Sequence, residues 1–429
     1  MTIWSINARV FFLLSGVASM ENGVPSPKVE RPDHVSPDRV VDFDMYNPPN
    51  VAEDFFAAWK TLHEPGVADV VWTPYNGGHW IPTRSNVVKD VFSDYERFSS
   101  RVILVPKEVG ETLSIIPVQV DPPRHRPYRK LLNDALGPKV VRQLEGKVRD
   151  IAIELIESFR ERGHCEFTTE FAEVYPIRIF MGLAELPVAD LPEVKGYVDA
   201  IIHPTPDLDQ ASAFQAVQNY MRPYIEARMG GDGTDLLSNL INQTVDGRSI
   251  SPDEGLAMGV QVLIAGVDTV LNFVSFVMLF MASNPSYREQ LIADPELIGP
   301  AVEELFRRFP IVTMAREIRE DTVFDGALLK KGEMIIAPSM LAGLDDRVNK
   351  CPMDVDFRRT AIDHATFGYG HHFCPGSHLA RKEVRIMLEE WLARIPDFQV
   401  AEGTQIRFLG GGGGSVTALP LTWPSQGKG

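Results

Sequence analysis

The segment from Pro252 to Ser283 constrains the fold more than any other, because it is apolar on nearly every side. Ser251-Pro252-Asp253-Glu254 has the pattern of a capping box with proline in the first helical turn, and Asn284-Pro285 marks the end of the helix. A helix that is apolar all round is buried, so this one is predicted to run through the centre of the protein. The few polar side chains within it therefore require an explanation.

Helical patterns also dominate the rest of the chain. Between Pro138 and Gly163, apolar residues recur at steps of three and four, which predicts one long amphipathic helix. The stretches 333–337 and 418–421 have the composition of short strands, and the glycine run 410–414 is predicted to be a flexible hairpin loop. These patterns predict a mainly α fold with small β-sheets.

One cysteine, Cys374, lies in the glycine-rich stretch 367–376, directly before a segment with a helical pattern. Glycines let a backbone approach a large flat group closely, and a helix N-terminus favours a negative charge, so the thiol is expected to ionise readily. This arrangement suits a thiolate directed at one metal centre. An inert buried thiol is the alternative. A zinc site with His371 and His372 would need a second ligand cluster, and the sequence shows none.

The stretch resembles the haem-ligand loop of the cytochrome P450 family. Matching positions are Phe367, Gly368, Gly370, His372, Cys374 and Gly376, continued by Leu379, Ala380, Arg381 and Glu383. Three further motifs follow the family order, and similarity to its bacterial camphor-hydroxylating branch extends from about Asn76 to Trp423. The resemblance implies a triangular-prism fold with heme b held between the central helix and the Cys374 loop. It also implies a monooxygenase, in which a thiolate on iron favours cleavage of the O–O bond of O2.

Composition limits the partners. The chain has 429 residues and a net charge of -16, which argues against nucleic acid. Three cysteines fit a reducing cytoplasm and are too few to bind an iron–sulfur cluster with four cysteines, so an oxygenase of this sequence must receive its electrons from another protein. The apolar stretch 10–18 is too short to span a membrane. We predict a disordered extension over residues 1–45, one domain over residues 46–429, and a soluble cytoplasmic monomer.

The resemblance also implies site residues. Gly266 would let the central helix approach the haem, while Thr269 would hydrogen-bond the bound dioxygen and Asp268 would relay protons to it. The alternative for Thr269 is a hydrogen bond to the carbonyl four residues back.

Glu304 and Arg307 resemble a Glu-x-x-Arg pair that specifies the fold, with Arg359 as its third member. The alternative is an exposed ion pair. Phe367 belongs to the cofactor loop. The haem propionates would be held by His125, Arg129, Arg316 and His372, each of which, taken singly, is more often a surface charge.

The predicted substrate pocket is aliphatic where the camphor-binding relatives have polar or aromatic side chains. Its lining would be Leu104, Leu113, Val118, Ile264, Val312 and Met314. A pocket without donors favours an apolar substrate of terpenoid or norisoprenoid type.

Electrons would come from a two-iron ferredoxin with its NAD(P)H-dependent reductase. A basic patch would receive the ferredoxin, formed by Lys89, Arg126, Arg129 and Arg381. The alternatives to a monooxygenase are a haem-dependent isomerase or peroxygenase, which needs no reductase, and a non-catalytic haem sensor.

Overall fold

The computed structural model describes residues 27–111, 114–202, 208 and 210–424. Its central helix spans Pro252–Ser283, the bounds that the sequence predicts, and both halves of the capping box between Ser251 and Glu254 are present. Among the described helices this is the one long and apolar enough to cross a membrane, but 56% of its apolar window is buried in the fold. Burial of that kind is typical of a core helix.

Helices are the main element of the described structure. The other α-helices are Phe55–Lys60, Ser85–Ser93, Lys107–Gly110, His125–Ala135, Pro138–Arg160, Val174–Leu183, Leu191–Ile202, Gln210–Arg228, Leu236–Ile241, Pro285–Ala293, Ile298–Arg308, Ser339–Gly343 and Ser377–Arg394. The predicted amphipathic helix is confirmed as Pro138–Arg160, which buries Val141, Val148, Leu155 and Phe159.

The strands form small sheets, as predicted. A five-stranded sheet has the order Val70–Thr73, His79–Pro82, Met334–Pro338, Thr313–Ile318 and Phe98–Ser99. Its strands pair antiparallel except for His79–Pro82 with Met334–Pro338. A three-stranded antiparallel sheet joins Gln399–Val400, Pro420–Thr422 and His164–Glu166. Three two-stranded hairpins pair Phe408–Leu409 with Ser415–Val416, Thr244–Val245 with Arg248–Ser249, and Thr322–Phe324 with Ala327–Leu329.

Stacked aromatic rings connect the central helix to the cysteine loop. Phe273 lies parallel to Phe306 of helix Ile298–Arg308, with 4.2 Å between ring centroids. Phe306 in turn packs on Phe367, with 4.7 Å between centroids. The central helix and the loop that carries Cys374 therefore share one packed wall.

The N-terminal segment differs from the prediction. Residues 27–45 do not belong to a disordered extension, because Val35, Phe43 and Met45 are each at most 2% exposed. The Val41 amide donates to the Trp72 carbonyl at 2.9 Å, which fixes this segment beside the five-stranded sheet. Residues 1–26 lie outside the described residues, and the single-domain boundary stays a prediction.

The glycine run 410–414 forms the predicted hairpin turn, but it is closely packed. A Cβ atom at Gly410 would lie 2.5 Å from the Met45 carbonyl oxygen, and one at Gly414 would lie 2.3 Å from Phe55 Cζ. Glycine is therefore required at both ends of the turn for steric reasons.

Candidate active site

The loop before helix Ser377–Arg394 holds Cys374 in a defined position. The Cys374 amide donates to the Phe367 carbonyl at 2.8 Å, and Gly368 and Gly370 both adopt a φ of 70°. A Cβ atom at Gly370 would lie 2.8 Å from Ser93 Cα, so no other residue fits this close approach. The loop conformation thus depends on glycine at two positions.

The Cys374 thiol does not ionise as readily as the sequence suggests. Burial raises its pKa, and this outweighs the opposing effect of the Gly376 and Ser377 amides and of the Arg129 and Arg381 guanidinium groups. The helix N-terminus does lower the pKa of the thiol, but desolvation of the same sulfur raises it by more. The predicted net lowering of the pKa was therefore wrong. A bound cation would favour the thiolate in this environment.

Beside the loop lies a group of buried and half-buried histidine and arginine side chains. The His125 and His372 rings are 4.2 Å apart between centroids, and burial lowers the pKa of His125 to about 4 and that of His372 to about 2. Arg316 is 2% exposed, and burial lowers its pKa to about 10. Arg129 donates to the carbonyl of Phe373, next to the cysteine.

Within the described residues, neither ring nitrogen of His125 has a hydrogen-bond partner, and Nε2 of His372 has none either. Burying these nitrogens without hydrogen-bond partners, next to the buried charge of Arg316, costs free energy unless an anionic group binds them. Carboxylates carried by a large cofactor would satisfy all three residues. The cluster therefore fits the propionates of a haem whose iron faces Cys374.

The central helix is exposed at one point in its middle. Ala265 and Gly266 are exposed, and a Cβ atom at Gly266 would meet no atom within 4 Å. Thr269 Oγ1 donates to the Ala265 carbonyl at 2.8 Å, which is the alternative that the sequence left open for this residue. Asp268 accepts a hydrogen bond at Oδ1 from Asn272 Nδ2 at 2.7 Å.

Glu304, Arg307 and Arg359 are brought into direct contact. Glu304 accepts from Arg307 Nε at 2.7 Å and from Arg359 Nε at 3.0 Å, and it also accepts the Asp356 amide at 3.0 Å. Glu304 and Arg307 are both 0% exposed, so the pair is not the exposed ion pair that this spacing often gives. Arg307 also donates to the Pro352 carbonyl at 2.7 Å. The network ties helix Ile298–Arg308 to the stretch before the cysteine loop.

The predicted pocket residues fall in two places. Leu104 and Met314 line the same small cleft, and Val312 pairs with Gly413 in an isolated β-bridge beside it. The Val118 amide donates to Gln261 Oε1 on the central helix at 3.3 Å, while Ile264 packs half-buried on that helix. Leu113 lies outside the described residues.

The predicted basic patch is partly neutralised. Lys89 Nζ contacts both carboxylate oxygens of Asp363 at 2.5 and 2.7 Å, and Arg381 pairs with Glu303 at 2.6 Å. The Arg381 guanidinium also lies 4.5 Å from the centroid of the Phe367 ring. Arg126 is exposed, and no described acidic side chain forms an ion pair with it. The sequence carried no signal for Asp363 and Glu303 as partners.

Comparison with known proteins decides the family. A family model described as Cytochrome P450 matches residues 197–409. Probable cytochrome P450 127A1 of Sinorhizobium fredii is 32% identical over 401 residues, which cover 91% of this chain and 96% of the relative. The chain belongs to the cytochrome P450 family. Among solved structures, CYP101J2 is 44% identical with a TM-score of 0.87, and CYP101C1 is 39% identical with a TM-score of 0.86; each match covers 92% of this chain and 100% of the other.

The predicted family, fold and enzyme class are thereby confirmed. The protein is a P450 monooxygenase, an oxidoreductase whose cofactor is heme b. The donor set described above fits that cofactor: one thiol in a glycine-defined loop, a cluster of two histidines and two arginines for carboxylates, and an open glycine on the facing helix.

Proposed function

We propose that this P450 hydroxylates an apolar small molecule of terpenoid or norisoprenoid type, using O2 and electrons from a two-iron ferredoxin. The observation that carries the substrate class is the apolar character of the five described residues among the predicted lining positions. Leu104, Val312 and Met314 on one side and Val118 and Ile264 on the other offer no side-chain donor or acceptor to a ligand. Such a pocket selects by shape and burial of apolar surface, so polar substrates should be excluded.

The haem, when bound through a thiolate, supplies the binding and reductive cleavage of dioxygen. In this proposal Cys374 is its protein ligand. His125, Arg129, Arg316 and His372 hold the two propionates, and the unpartnered ring nitrogens of His125 and His372 beside the buried Arg316 support this assignment.

Gly266 removes a side chain where the central helix faces the cofactor, and the open space before it supports that role. Thr269, three residues after Gly266, and the adjacent Asp268 deliver protons. Thr269 Oγ1 donates to the Ala265 carbonyl and can accept a proton with its lone pairs, while Asp268 takes up a proton from solvent and passes it on.

Substrate class can be tested by binding. A panel of terpenoids and norisoprenoids is screened for the low-spin to high-spin shift of the holoprotein, with hydroxylated analogues of each hit as matched controls. Apolar members should bind, and each added hydroxyl should weaken binding by about tenfold or more because none of the five described lining side chains can form a strong hydrogen bond with it. Preferential binding of the hydroxylated analogues would overturn the proposed substrate class.

The electron donor is proposed to approach the exposed Arg126 and the surface around it. Arg126→Glu should slow reduction by an acidic ferredoxin about tenfold, because charge complementarity mainly sets the rate of encounter. Arg162→Glu makes the same charge change on an exposed arginine outside the predicted patch and serves as control. Equal rates for Arg126→Glu and the control would refute the docking site. Because it depends on a soluble donor, we propose that the enzyme works in the cytoplasm.

The enzyme class has a direct test. The dithionite-reduced protein should give the red-shifted Soret band of thiolate ligation with carbon monoxide, and Cys374→Ser should lose it. Product formation should then require the reductase and ferredoxin. Product formed without them, or from peroxide alone, would favour an isomerase or peroxygenase, and haem binding without any product would favour a sensor.

A further inference from the structure

Glu317 on strand Thr313–Ile318 is bonded to two basic side chains of the stretch 101–111. Arg101 donates to both carboxylate oxygens, from Nε to Oε2 at 2.7 Å and from Nη2 to Oε1 at 2.8 Å. Lys107 Nζ lies 2.7 Å from Oε1. The Glu317 side chain is 15% exposed, and the hydrogen bond from Arg101 lowers its pKa from 4.5 to about 2 against the opposing effect of burial. Bidentate arginine–carboxylate pairs fix geometry as well as charge, so this contact sets where the stretch lies on the sheet.

Residues 101–111, the 101–111 loop, are closed on themselves. Gln119 Nε2 donates to the Arg101 carbonyl at 3.1 Å and to the Gly110 carbonyl at 3.3 Å, which holds the two ends of the loop together. A Cβ atom at Gly110 would lie 2.5 Å from Val102 Cγ1, so the two ends also pack closely. A loop whose ends meet in this way is compact, and a contact at one point restrains all of it.

Leu104, a proposed lining residue of the substrate pocket, lies in this loop. The Ala315 amide donates to the Ile103 carbonyl at 2.8 Å, and Tyr46 Oη donates to the Val105 carbonyl at 2.6 Å. These bonds connect the residues on either side of Leu104 to the sheet and to the N-terminal segment. The ionic contacts act on the loop before and after this pair of bonds, so they add to the restraint on Leu104.

Glu317 itself faces away from the proposed site. Successive residues of a strand point to opposite faces, so Met314 and Arg316 share one face of strand Thr313–Ile318 and Glu317 lies on the other. Met314 lines the predicted pocket, and Arg316 belongs to the cluster assigned to the propionates. A change at Glu317 therefore leaves both side chains in place and reaches a bound ligand through the 101–111 loop.

We infer that Glu317 is a positioning residue of the substrate site. Its bonds to Arg101 and Lys107 form an ionic clasp that holds the 101–111 loop, with Leu104, over the bound ligand. Ligands enter and leave when the clasp opens, because movement of a covering loop controls both steps. The clasp is made of protein groups alone and is present with and without ligand, so it slows entry and release to the same extent. This inference rests on the proposed place of Leu104 in the substrate pocket.

A purely structural ion pair is the competing explanation, because exposed pairs often contribute little and Arg101 is 52% exposed. Asp69 provides a matched control. Arg347 donates to both of its carboxylate oxygens, at 2.5 and 2.9 Å, and the two side chains are 51% and 24% exposed. Asp69 directly precedes Val70–Thr73, which forms one edge of the five-stranded sheet, whereas Thr313–Ile318 lies next to the other edge. Asp69→Asn thus removes a bidentate pair of similar exposure without touching the loop.

The experiment mixes the haem-loaded protein with phenylimidazole, an apolar probe that binds haem iron through a ring nitrogen and shifts its absorption. Stopped-flow mixing and displacement give the association and dissociation rate constants. Glu317→Gln keeps the side-chain volume and removes the charge. It should raise both rate constants by about threefold to tenfold and change the Kd by less than about twofold. Asp69→Asn should match the wild type in all three values.

Two further measurements identify the clasp as the cause. Arg101→Gln should raise the same two rate constants, and the double variant Arg101→Gln/Glu317→Gln should show less than the product of the two single effects. Raising NaCl from about 0.1 M to about 1 M shortens the Debye length from about 10 Å to about 3 Å, which should raise both rate constants of the wild type and leave those of Glu317→Gln unchanged.

Rate constants of Glu317→Gln equal to those of Asp69→Asn would overturn the inference, even if its urea midpoint were lower, because the pair would then be structural only. A rise in the dissociation rate constant alone, or an equal salt effect in Glu317→Gln and the wild type, would also overturn it. Failure of the proposed substrate class is a separate result, since it would show in the wild type as the absence of a spin shift with every terpenoid, whereas the clasp is measured with phenylimidazole.

Discussion

Replacing Glu304 by alanine tests the buried network on the cysteine side of the site. The change removes the acceptor for Arg307 Nε at 2.7 Å, Arg307 Nη2 at 2.8 Å, Arg359 Nε at 3.0 Å and the Asp356 amide at 3.0 Å. Arg307 is 0% exposed, so its charge would remain buried without a counter-ion. Breaking a buried ion pair by removing one partner costs about 3–5 kcal/mol.

Two features of the network bear on that estimate. Arg307 keeps hydrogen bonds to the carbonyls of Gly343, Pro352 and Asp354, which prevents a larger loss. The network also fixes the stretch that leads to the cysteine loop, so the lost free energy should appear as weakened haem retention.

Urea unfolding followed by circular dichroism, together with the haem-to-protein absorbance ratio, measures both effects. Glu303→Ala is the matched control, because the neighbouring Glu303 makes a half-exposed pair with Arg381 and should cost less than about 1 kcal/mol. If Glu304→Ala and Glu303→Ala have equal unfolding midpoints and equal haem content, the network does not hold the loop.

Further predictions concern burial, packing and capping. Burial raises the pKa of Glu383 from 4.5 to about 8, so between these pH values the folded state holds a proton that the unfolded state releases. The free energy of unfolding of the wild type should therefore fall relative to that of Glu383→Gln by up to about 5 kcal/mol as pH rises from 4.5 to 8. Urea midpoints of the two proteins that differ by a constant amount at all pH values would contradict this. Gly414→Ala should cost about 1–3 kcal/mol by overpacking against Phe55, measured by urea unfolding against Gly413→Ala, and equal midpoints would contradict it. Asp235→Ala should cost at least about 1 kcal/mol, because it removes both the cap that accepts the Leu237 amide at 3.0 Å and the ion pair with Arg228 at 3.1 Å, and an unchanged midpoint would show that neither contributes.

The parts of the fold that could be predicted from the sequence are those set by neighbouring residues. The capping box at Ser251 and the Asn284-Pro285 stop define both ends of the central helix, and its apolar composition predicts its burial. The contact between Glu304 and Arg307 also follows from local spacing, since residues three apart share a helix face. Their burial does not follow from spacing, because it depends on elements distant in the chain.

The predictions that differ from the structure all depend on long-range contacts. Residues 27–45 are rich in proline and charge, but three apolar side chains, including Val35 and Phe43, are sufficient to pack the segment on the sheet. Lys89 pairs with Asp363, which lies 274 residues away in sequence, so no local pattern could show that its charge is neutralised. The thiol of Cys374 has a favourable local dipole, but the burial that raises its pKa comes from the whole fold.

The two sides of the site are stabilised by different interactions, and this predicts which property a variant on each side should lose. The cysteine side depends on a buried ionic network in which Glu304 balances the charges of two arginines, so a change there should release the haem. The central helix is held by apolar packing such as Phe273 on Phe306, and its polar residues bond mainly within the helix, as Thr269 does with the Ala265 carbonyl. Removing such a local bond costs little stability, because the surrounding packing still fixes the helix. Variants of the central helix should therefore keep the cofactor and alter the chemistry, whereas variants of the Glu304 network should lose the cofactor first.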